Sequence, residues 1–346
     1  MIAQNDLNVV TNVPLPSPAS LQGNIPATAE QMDFVSSSRR QISDIIFRQD
    51  ERLLLIVGPC SIHDPETCLN YAERLVKLAQ EVEDKILIVM RVYFEKPRTT
   101  VGWKGLIMDP DLDGSDNIVK GLTVARNFLK EILQLGLPTA TELLDPITPQ
   151  FIADLICWSA IGARTSESQT HRQMASGLSM PLGFKNATSG SITAATNAIK
   201  AATKPQTFLG VSSKGIASAV TTKGNPHCHL ILRGGENGSN YDQASIASAS
   251  GMLRDEGLPE TIMIDASHAN CQKKQELMPT VFEAIVAQRA AGNKALTGAM
   301  LESHLVAGNQ PFPQPLENLT RGQSITDQCI DWATTERIVK EAAARL

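Results

Sequence analysis

The chain has 346 residues, 42% of them hydrophobic, and its 31 Lys and Arg against 36 Asp and Glu leave a net charge of −5. That length suits two ordinary domains or one α/β barrel. A mildly acidic chain without blocks of like charge argues against sequence-independent binding to nucleic acid, which needs clustered cations. No apolar run approaches the ~18 residues of a membrane span, and Met1–Asn8 lacks the basic and apolar regions of a secretory leader, so a cytoplasmic location is expected.

Cys60, Cys68, Cys157, Cys228, Cys271 and Cys329 are scattered along the chain with no CxxC pair. This argues against a disulfide scaffold or a zinc finger, and all but Cys60 read as small buried hydrophobes. Residues 1–34 read as an N-terminal arm. Asn12–Pro26 is rich in Pro, Ser and Asn and lacks periodicity. It suits either a flexible tail or an arm that docks on another subunit.

From residue 50 onward short apolar runs alternate with amphipathic stretches. The runs are Leu53–Val57, Ile86–Val92, Thr139–Glu142, Ala160–Arg164, Leu182–Lys185, Phe208–Val211, Thr261–Asp265 and Leu296–Leu301. Continuous apolar runs such as Leu53–Val57 are what strands buried on both faces require. Between them, Asp64-Pro65 and Thr148-Pro149 carry helix-start signals, and Leu122, Ala125, Leu129, Ile132 and Leu133 form an apolar stripe closed by Gly136. Eight such alternations predict a (β/α)8 barrel over residues 35–346. An open doubly wound sheet is the competitor, but no GxGxxG follows any run. Ile216–Thr222 and Cys228–Leu232 flank Lys223-Gly224-Asn225-Pro226, which reads as a hairpin inserted after the sixth strand, at about 214–233.

A barrel carries its chemistry at the C-terminal ends of its strands. There Arg91, Lys96, Arg98, Arg164, Lys185 and Arg233 follow successive runs, a basic rim in an acidic chain. Such a rim predicts small anionic ligands bearing phosphate and carboxylate groups. The same face gathers Cys60, His268 and Glu302, which follow the first, seventh and eighth runs, and then Asp327. First and last strands are neighbours in a closed barrel, so a thiolate, an imidazole and two carboxylates can meet around a catalytic divalent ion. Two other readings are weaker. Cys60 and His63 could form a nucleophile–base pair, but they share one turn, where His63 packs or caps locally. His227-x-His229 could bind metal, but strand alternation also explains it.

The motifs GPCSIHD (Gly58–Asp64), RVYFEKPRTTVGWKG (Arg91–Gly105), IGARTSESQ (Ile161–Gln169), GFKN (Gly183–Asn186), LRGG (Leu232–Gly235), DASHAN (Asp265–Asn270), ESHLVAG (Glu302–Gly308) and GQSITD (Gly322–Asp327) resemble those of type I 3-deoxy-D-arabino-heptulosonate-7-phosphate (DAHP) synthases. The resemblance spans essentially residues 35–346. The arm and the hairpin resemble the feedback-regulated bacterial and yeast subgroup.

The resemblance implies a shikimate-pathway transferase that condenses phosphoenolpyruvate with erythrose 4-phosphate and water, giving DAHP and phosphate. It implies one divalent ion per subunit, Mn²⁺ first, with Fe²⁺, Co²⁺ or Zn²⁺ as alternatives, held by Cys60, His268, Glu302 and Asp327. Such an ion is a Lewis acid towards the aldehyde oxygen. Arg91, Lys96, Arg164, Lys185 and Arg233, with His268 beside them, correspond to the phosphoenolpyruvate pocket. Arg98 and Thr99 correspond to the sugar-phosphate anchors, and Lys96 is the candidate acid for the developing alkoxide.

The subgroup also implies a homotetramer, a dimer of dimers, and an aromatic amino acid effector. Positions matching the effector pocket are Asp145, Pro149, Gln150, Met174, Leu178, Ser179, Phe208, Gly210 and Val220. Gly210 leaves room for a ring hydroxyl and favours tyrosine, with tryptophan or no response as the alternatives; Leu143 and Pro146 also depart from the phenylalanine-type pattern. Two alternatives are an eight-carbon synthase that takes arabinose 5-phosphate and a non-catalytic sensor of phosphoenolpyruvate or an amino acid. KPRT and the long arm argue against the first, and retention of all four metal positions against the second.

Overall fold

The computed structural model describes residues 5–346, so the first four residues of the expected arm lie outside it. In chain order the strands are β1 (Leu53–Gly58), β2 (Ile86–Arg91), β3 (Thr139–Glu142), β4 (Trp158–Ile161), β5 (Leu182–Lys185), β6 (Thr207–Val211), β7 (Ala217–Thr221), β8 (Cys228–Leu232), β9 (Ile262–Asp265) and β10 (Leu296–Glu302). The α-helices are α1 (Pro18–Asn24), α2 (Ala29–Ile46), α3 (Pro65–Val82), α4 (Ile118–Gln134), α5 (Pro149–Ile152), α6 (Gln169–Ser176), α7 (Thr193–Ala202), α8 (Gln243–Asp255), α9 (Met278–Ala290) and α10 (Trp332–Arg345). Among the described residues, eight parallel strands close in the order β1-β10-β9-β8-β5-β4-β3-β2, and β6 and β7 form a separate antiparallel pair. This is the expected (β/α)8 barrel with an inserted hairpin.

Local chemistry explains the elements. All residues of β1, β8 and β10 are buried, as sheet residues covered on both faces must be. Asp64 caps α3 by accepting from Thr67 N, with Pro65 in the first turn. The stripe Leu122, Ala125, Leu129, Ile132 and Leu133 is the buried face of α4.

Two expectations change. The hairpin lies ahead of the sixth barrel strand: Phe208–Val211 pairs antiparallel with Ala217–Val220, whereas Cys228–Leu232 joins β5 in the barrel with Leu182 opposite Cys228. Both runs are short and apolar, but every residue of β6 is exposed or half-buried while β8 is wholly buried. The true hairpin turn contains Gly215 at φ +75°, and Lys223–Pro226 is the connection back into the barrel. The fourth strand also begins earlier, at Trp158, and Arg164 lies in the loop beyond it. Thr148-Pro149 opens a single helical turn, followed by a 3₁₀ turn at Ala153–Leu155.

The arm is anchored. Ala19 N donates to Ser213 O at the hairpin tip, Gln22 Nε2 to Gln150 O, and Arg126 Nη2 to Ile25 O. Helix α2 runs continuously through residue 34 and starts with a capping box of Thr28 and Gln31. It crosses the N-terminal end of the barrel. Arg39 donates to the carbonyls of Ala153 and Ile156 just ahead of β4, and Ser43 Oγ meets His227 Nδ1 at 2.8 Å just ahead of β8.

Candidate active site

The first strand ends in Gly58-Pro59-Cys60, and the backbone there lets Arg91 come close. Gly58 has φ +154°, and a Cβ on it would lie 2.9 Å from Arg91 O, so only glycine fits. The Arg91 side chain is 1% exposed. It donates to Pro59 O at 3.1 Å and to Glu302 Oε1 at 2.8 Å, and its guanidinium lies 3.5 Å over the Tyr93 ring. Lys96 Nζ donates to Cys60 O at 3.2 Å and to Cys60 Sγ at 3.0 Å. Lys185 Nζ lies 3.0 Å from Asp265 Oδ2 and 3.5 Å from Glu142 Oε2.

A buried charge is tolerated only when paired, and the titration directions follow from the pairing. Burial would lower Lys185 and Lys96, but Asp265 holds the first raised and Cys60 and Asp327 hold the second raised. Burial would raise Asp265, but His268 and Lys185 hold it well below the usual carboxylate range. The Cys60 thiol is pushed up to about 11 by burial and by Glu302, with Lys96 opposing.

Ligand atoms of Cys60, Glu302 and Asp327 lie within 4.8 Å of one another. A sulfur and two carboxylates at that spacing suit a divalent ion with an open position. His268 stands outside this group. Its backbone is left-handed at φ +58°, and its Nδ1 lies 3.0 Å from Asp265 Oδ2, which leaves Nε2 as the ring atom free to donate a lone pair.

The structure therefore brings Arg91 and Lys96 together with the thiol–carboxylate group, and holds Lys185 on its own pair of carboxylates, Asp265 and Glu142. Arg98 is exposed and donates from Nε to Trp103 O at 2.7 Å. Thr99 and Arg164 are exposed, and Arg233 is half-buried with its backbone N–H held by Asn186 Oδ1; these four form the outer rim. His63 packs its ring edge-on to His304 at 5.9 Å, which accounts for it without a role as base. His229 accepts from Trp158 Nε1 at 3.3 Å while His227 faces α2, so the two do not converge on one ion. Sequence reasoning gave no role to Asp265, Glu142 or Tyr93. The signal was there: three buried cations at strand ends require buried counter-charges, and Glu142 and Asp265 end strands of the same barrel.

Pro149, Gln150, Met174, Leu178, Phe208, Gly210 and Val220 line one cavity of about 340 Å³ between the hairpin and α5. Asp145 and Ser179 do not line it. The Asp145 N–H is bonded to Glu95, and Ser179 faces a cavity of about 540 Å³ under α2, at the opposite end of the barrel from the cations. No described helix is long and apolar enough to cross a membrane.

These features define a (β/α)8-barrel protein whose strand ends carry a thiol–carboxylate group spaced for a metal ion and three buried cations. The sequence profile of the DAHP synthetase I family matches residues 24–340. The chain belongs to that family. It is 49% identical over 339 residues to the Tyr-sensitive phospho-2-dehydro-3-deoxyheptonate aldolase of Escherichia coli K12, covering 98% of this chain and 95% of the relative. It is also 49% identical to the Phe-sensitive form of the same organism, covering 98% and 96%. The structure of the phospho-2-dehydro-3-deoxyheptonate aldolase of Francisella tularensis SCHU S4 superposes with a TM-score of 0.95 at 45% identity, covering 98% of each chain.

Proposed function

We propose that this chain is a DAHP synthase, condensing phosphoenolpyruvate with erythrose 4-phosphate and water. The observation that carries this reading is the packing of Arg91 and Lys96 against the Cys60–Glu302–Asp327 group, with Lys185 buried on the strand ends of the same barrel against Asp265 and Glu142, in a DAHP synthetase I family member. Cys60, Glu302 and Asp327, with His268 Nε2, are the residues to hold a divalent ion, Mn²⁺ first. Such an ion supplies Lewis acidity towards the aldehyde oxygen.

The protein groups do the rest. Arg91, Lys185, Arg164 and Arg233 take the carboxylate and phosphate of phosphoenolpyruvate, and Arg98 and Thr99 take the phosphate of the sugar. Carbon 3 of phosphoenolpyruvate bonds to the aldehyde carbon, and Lys96 gives its proton to the oxygen that becomes the hydroxyl. Water adds at carbon 2 and loses one proton to solvent; the C–O bond to phosphate then breaks with its electron pair going to the phosphate, the carbon 2 hydroxyl gives its remaining proton to that phosphate to become the keto group, and inorganic phosphate leaves. The cavity beside the hairpin takes an aromatic amino acid as inhibitor. The space at Gly210 favours tyrosine. The arm of residues 1–34 serves subunit and regulatory contacts in a homotetramer, and the enzyme works in the cytoplasm.

The test is phosphoenolpyruvate consumption by chelator-treated protein with erythrose 4-phosphate, with Mn²⁺ added back. Metal-restored turnover that Cys60→Ser abolishes is the expected result. No turnover with any divalent ion would refute the enzyme reading, and turnover with arabinose 5-phosphate alone would refute the substrate.

A further inference from the structure

Glu95 sits next to Lys96 in the loop that leaves β2, yet the two side chains diverge. Lys96 reaches Cys60, whereas Glu95 reaches a different segment of the chain. Glu95 is 3% exposed. Its oxygens accept from Leu144 N at 3.3 Å, Asp145 N at 3.2 Å and Thr148 Oγ1 at 2.9 Å. Its hydrogen-bond donors thus lie on residues 144–148, the segment between β3 and α5.

The far side of that same stretch is the wall of the hairpin cavity. Pro146, Pro149 and Gln150 line it, and Gln150 O takes a hydrogen bond from Gln22 of the arm. Thr148 stands at the N-cap of α5, where its hydroxyl would ordinarily bond the first turn. It makes no cap bond and donates to Glu95 instead. Burial pushes Glu95 up to about 7 even against these donors. A buried carboxylate kept against that tendency has a reason beyond packing.

We propose that Glu95 is the positioning residue that joins the hairpin cavity to Lys96, so that a ligand in the cavity acts on the phosphoenolpyruvate pocket through the Glu95–Thr148 contact. Displacing Pro146–Gln150 shifts the donors on residues 144–148. Glu95 follows them, and the peptide it shares with Lys96 moves with it. The carboxylate is required because two oxygens serve three donors. A glutamine would turn its NH₂ towards one of two backbone N–H groups. This inference rests on the assignment of the cavity and of Lys96 given under Proposed function.

Its test avoids turnover. At pH 8, where Glu95 is ionised, tyrosine and phenylalanine are titrated calorimetrically into Mn²⁺-loaded protein with and without saturating phosphoenolpyruvate, and without the sugar phosphate. The ratio of the two Kd values is the coupling factor, and by linkage it is the same in both directions. The wild type is expected to show coupling in the usual range of about 5–150-fold, falling below about twofold in Glu95→Gln while the Kd without phosphoenolpyruvate stays within about threefold. Thr148→Val is expected to lie between, and it decides the matter if Glu95→Gln does not fold. Wild-type coupling in both variants would overturn the inference, as would an uncoupled wild type. Turnover by the same wild-type preparation separates that failure from failure of the enzyme reading.

Discussion

Replacing Arg126 by Met should loosen the arm before it harms the barrel. The Arg126 side chain is fully buried on α4. It donates to Asp154 Oδ1 at 2.6 Å and Oδ2 at 2.9 Å, to Phe151 O at 2.7 Å and to Ile25 O at 3.0 Å. Methionine fills much of the space and satisfies none of these acceptors. Asp154 is 34% exposed and can turn to water, so the cost falls at the low end for a broken buried pair, about 3 kcal/mol. At ~2.1 cal/mol/K per residue, a chain of this length loses roughly 1.4 °C of Tm per kcal/mol, hence about 4 °C. Arg126→Lys keeps the charge and one donating nitrogen in place of three and should recover part of that. Because Ile25 ends the segment that holds α1 between the hairpin tip and α5, limited proteolysis should cut the variant before Thr28 sooner than the wild type. A Tm within about 1 °C of the wild type, with unchanged proteolysis, would refute the reasoning.

Three further outcomes are expected. In Gly210→Ser the new Cβ would lie 2.8 Å from Val220 Cγ2; crowding of this size changes binding by about tenfold, so tyrosine inhibition should weaken by that factor relative to phenylalanine, as inhibition curves would show. His229 is buried and pushed down to about 3, so the unfolded chain binds the extra proton as pH falls below ~6.5; stability is full above that pH and is lost towards pH 3, by about 3 kcal/mol at pH 4, and Trp158 fluorescence melts should show a shallower acid slope in His229→Gln. Chelator-treated protein should bind phosphoenolpyruvate at least about tenfold more weakly than Mn²⁺-loaded protein by equilibrium dialysis, and equal affinities would count against the charge balance argued below.

The barrel was legible because buried parallel strands and capped helices leave local traces. Leu53–Val57 is apolar throughout and Leu296–Leu301 is nearly so, broken only by Thr297 and Gly298, and Asp64-Pro65 is a start signal that needs no tertiary information. The hairpin was misplaced because Phe208–Val211 and Cys228–Leu232 look alike as runs. What separates them is partner choice, β7 for one and β5 for the other, and partner choice is not local. Arg91, Lys96, Lys185, Cys60, Glu302 and Asp327 were legible as residues at strand ends. Asp265 and Glu142 were legible only as carboxylates at strand ends and not as counter-charges, and Glu95 not at all, since a carboxylate becomes a counter-charge or a clamp only once its burial and neighbours are known. Thr148 marks the limit clearly: a standard cap in sequence, it makes no cap bond in the fold.

The buried charges explain why the site should be selective in the order it fills. Each buried cation already has a protein partner: Arg91 has Glu302, Lys185 has Asp265 and Glu142, and Lys96 has the carboxylate of Asp327 nearby while it donates to the Cys60 sulfur, which burial keeps a neutral thiol until a metal binds. An incoming phosphate or carboxylate would compete with these partners for the same donors. A divalent ion shared by Cys60, Glu302 and Asp327 would take up the anions that face Arg91 and Lys96 and leave both cations short of partners, ready for a substrate that carries negative charge at each end. Lys185 keeps its own carboxylates in either state, so it orients while Arg91 and Lys96 respond. On the proposed assignments, Lys96 therefore stands where three influences meet, the thiol–carboxylate group, the phosphoenolpyruvate pocket and, through Glu95, the hairpin cavity. That convergence follows from one short loop, Tyr93 to Arg98, lying between the first strand end and the segment that leads into α5.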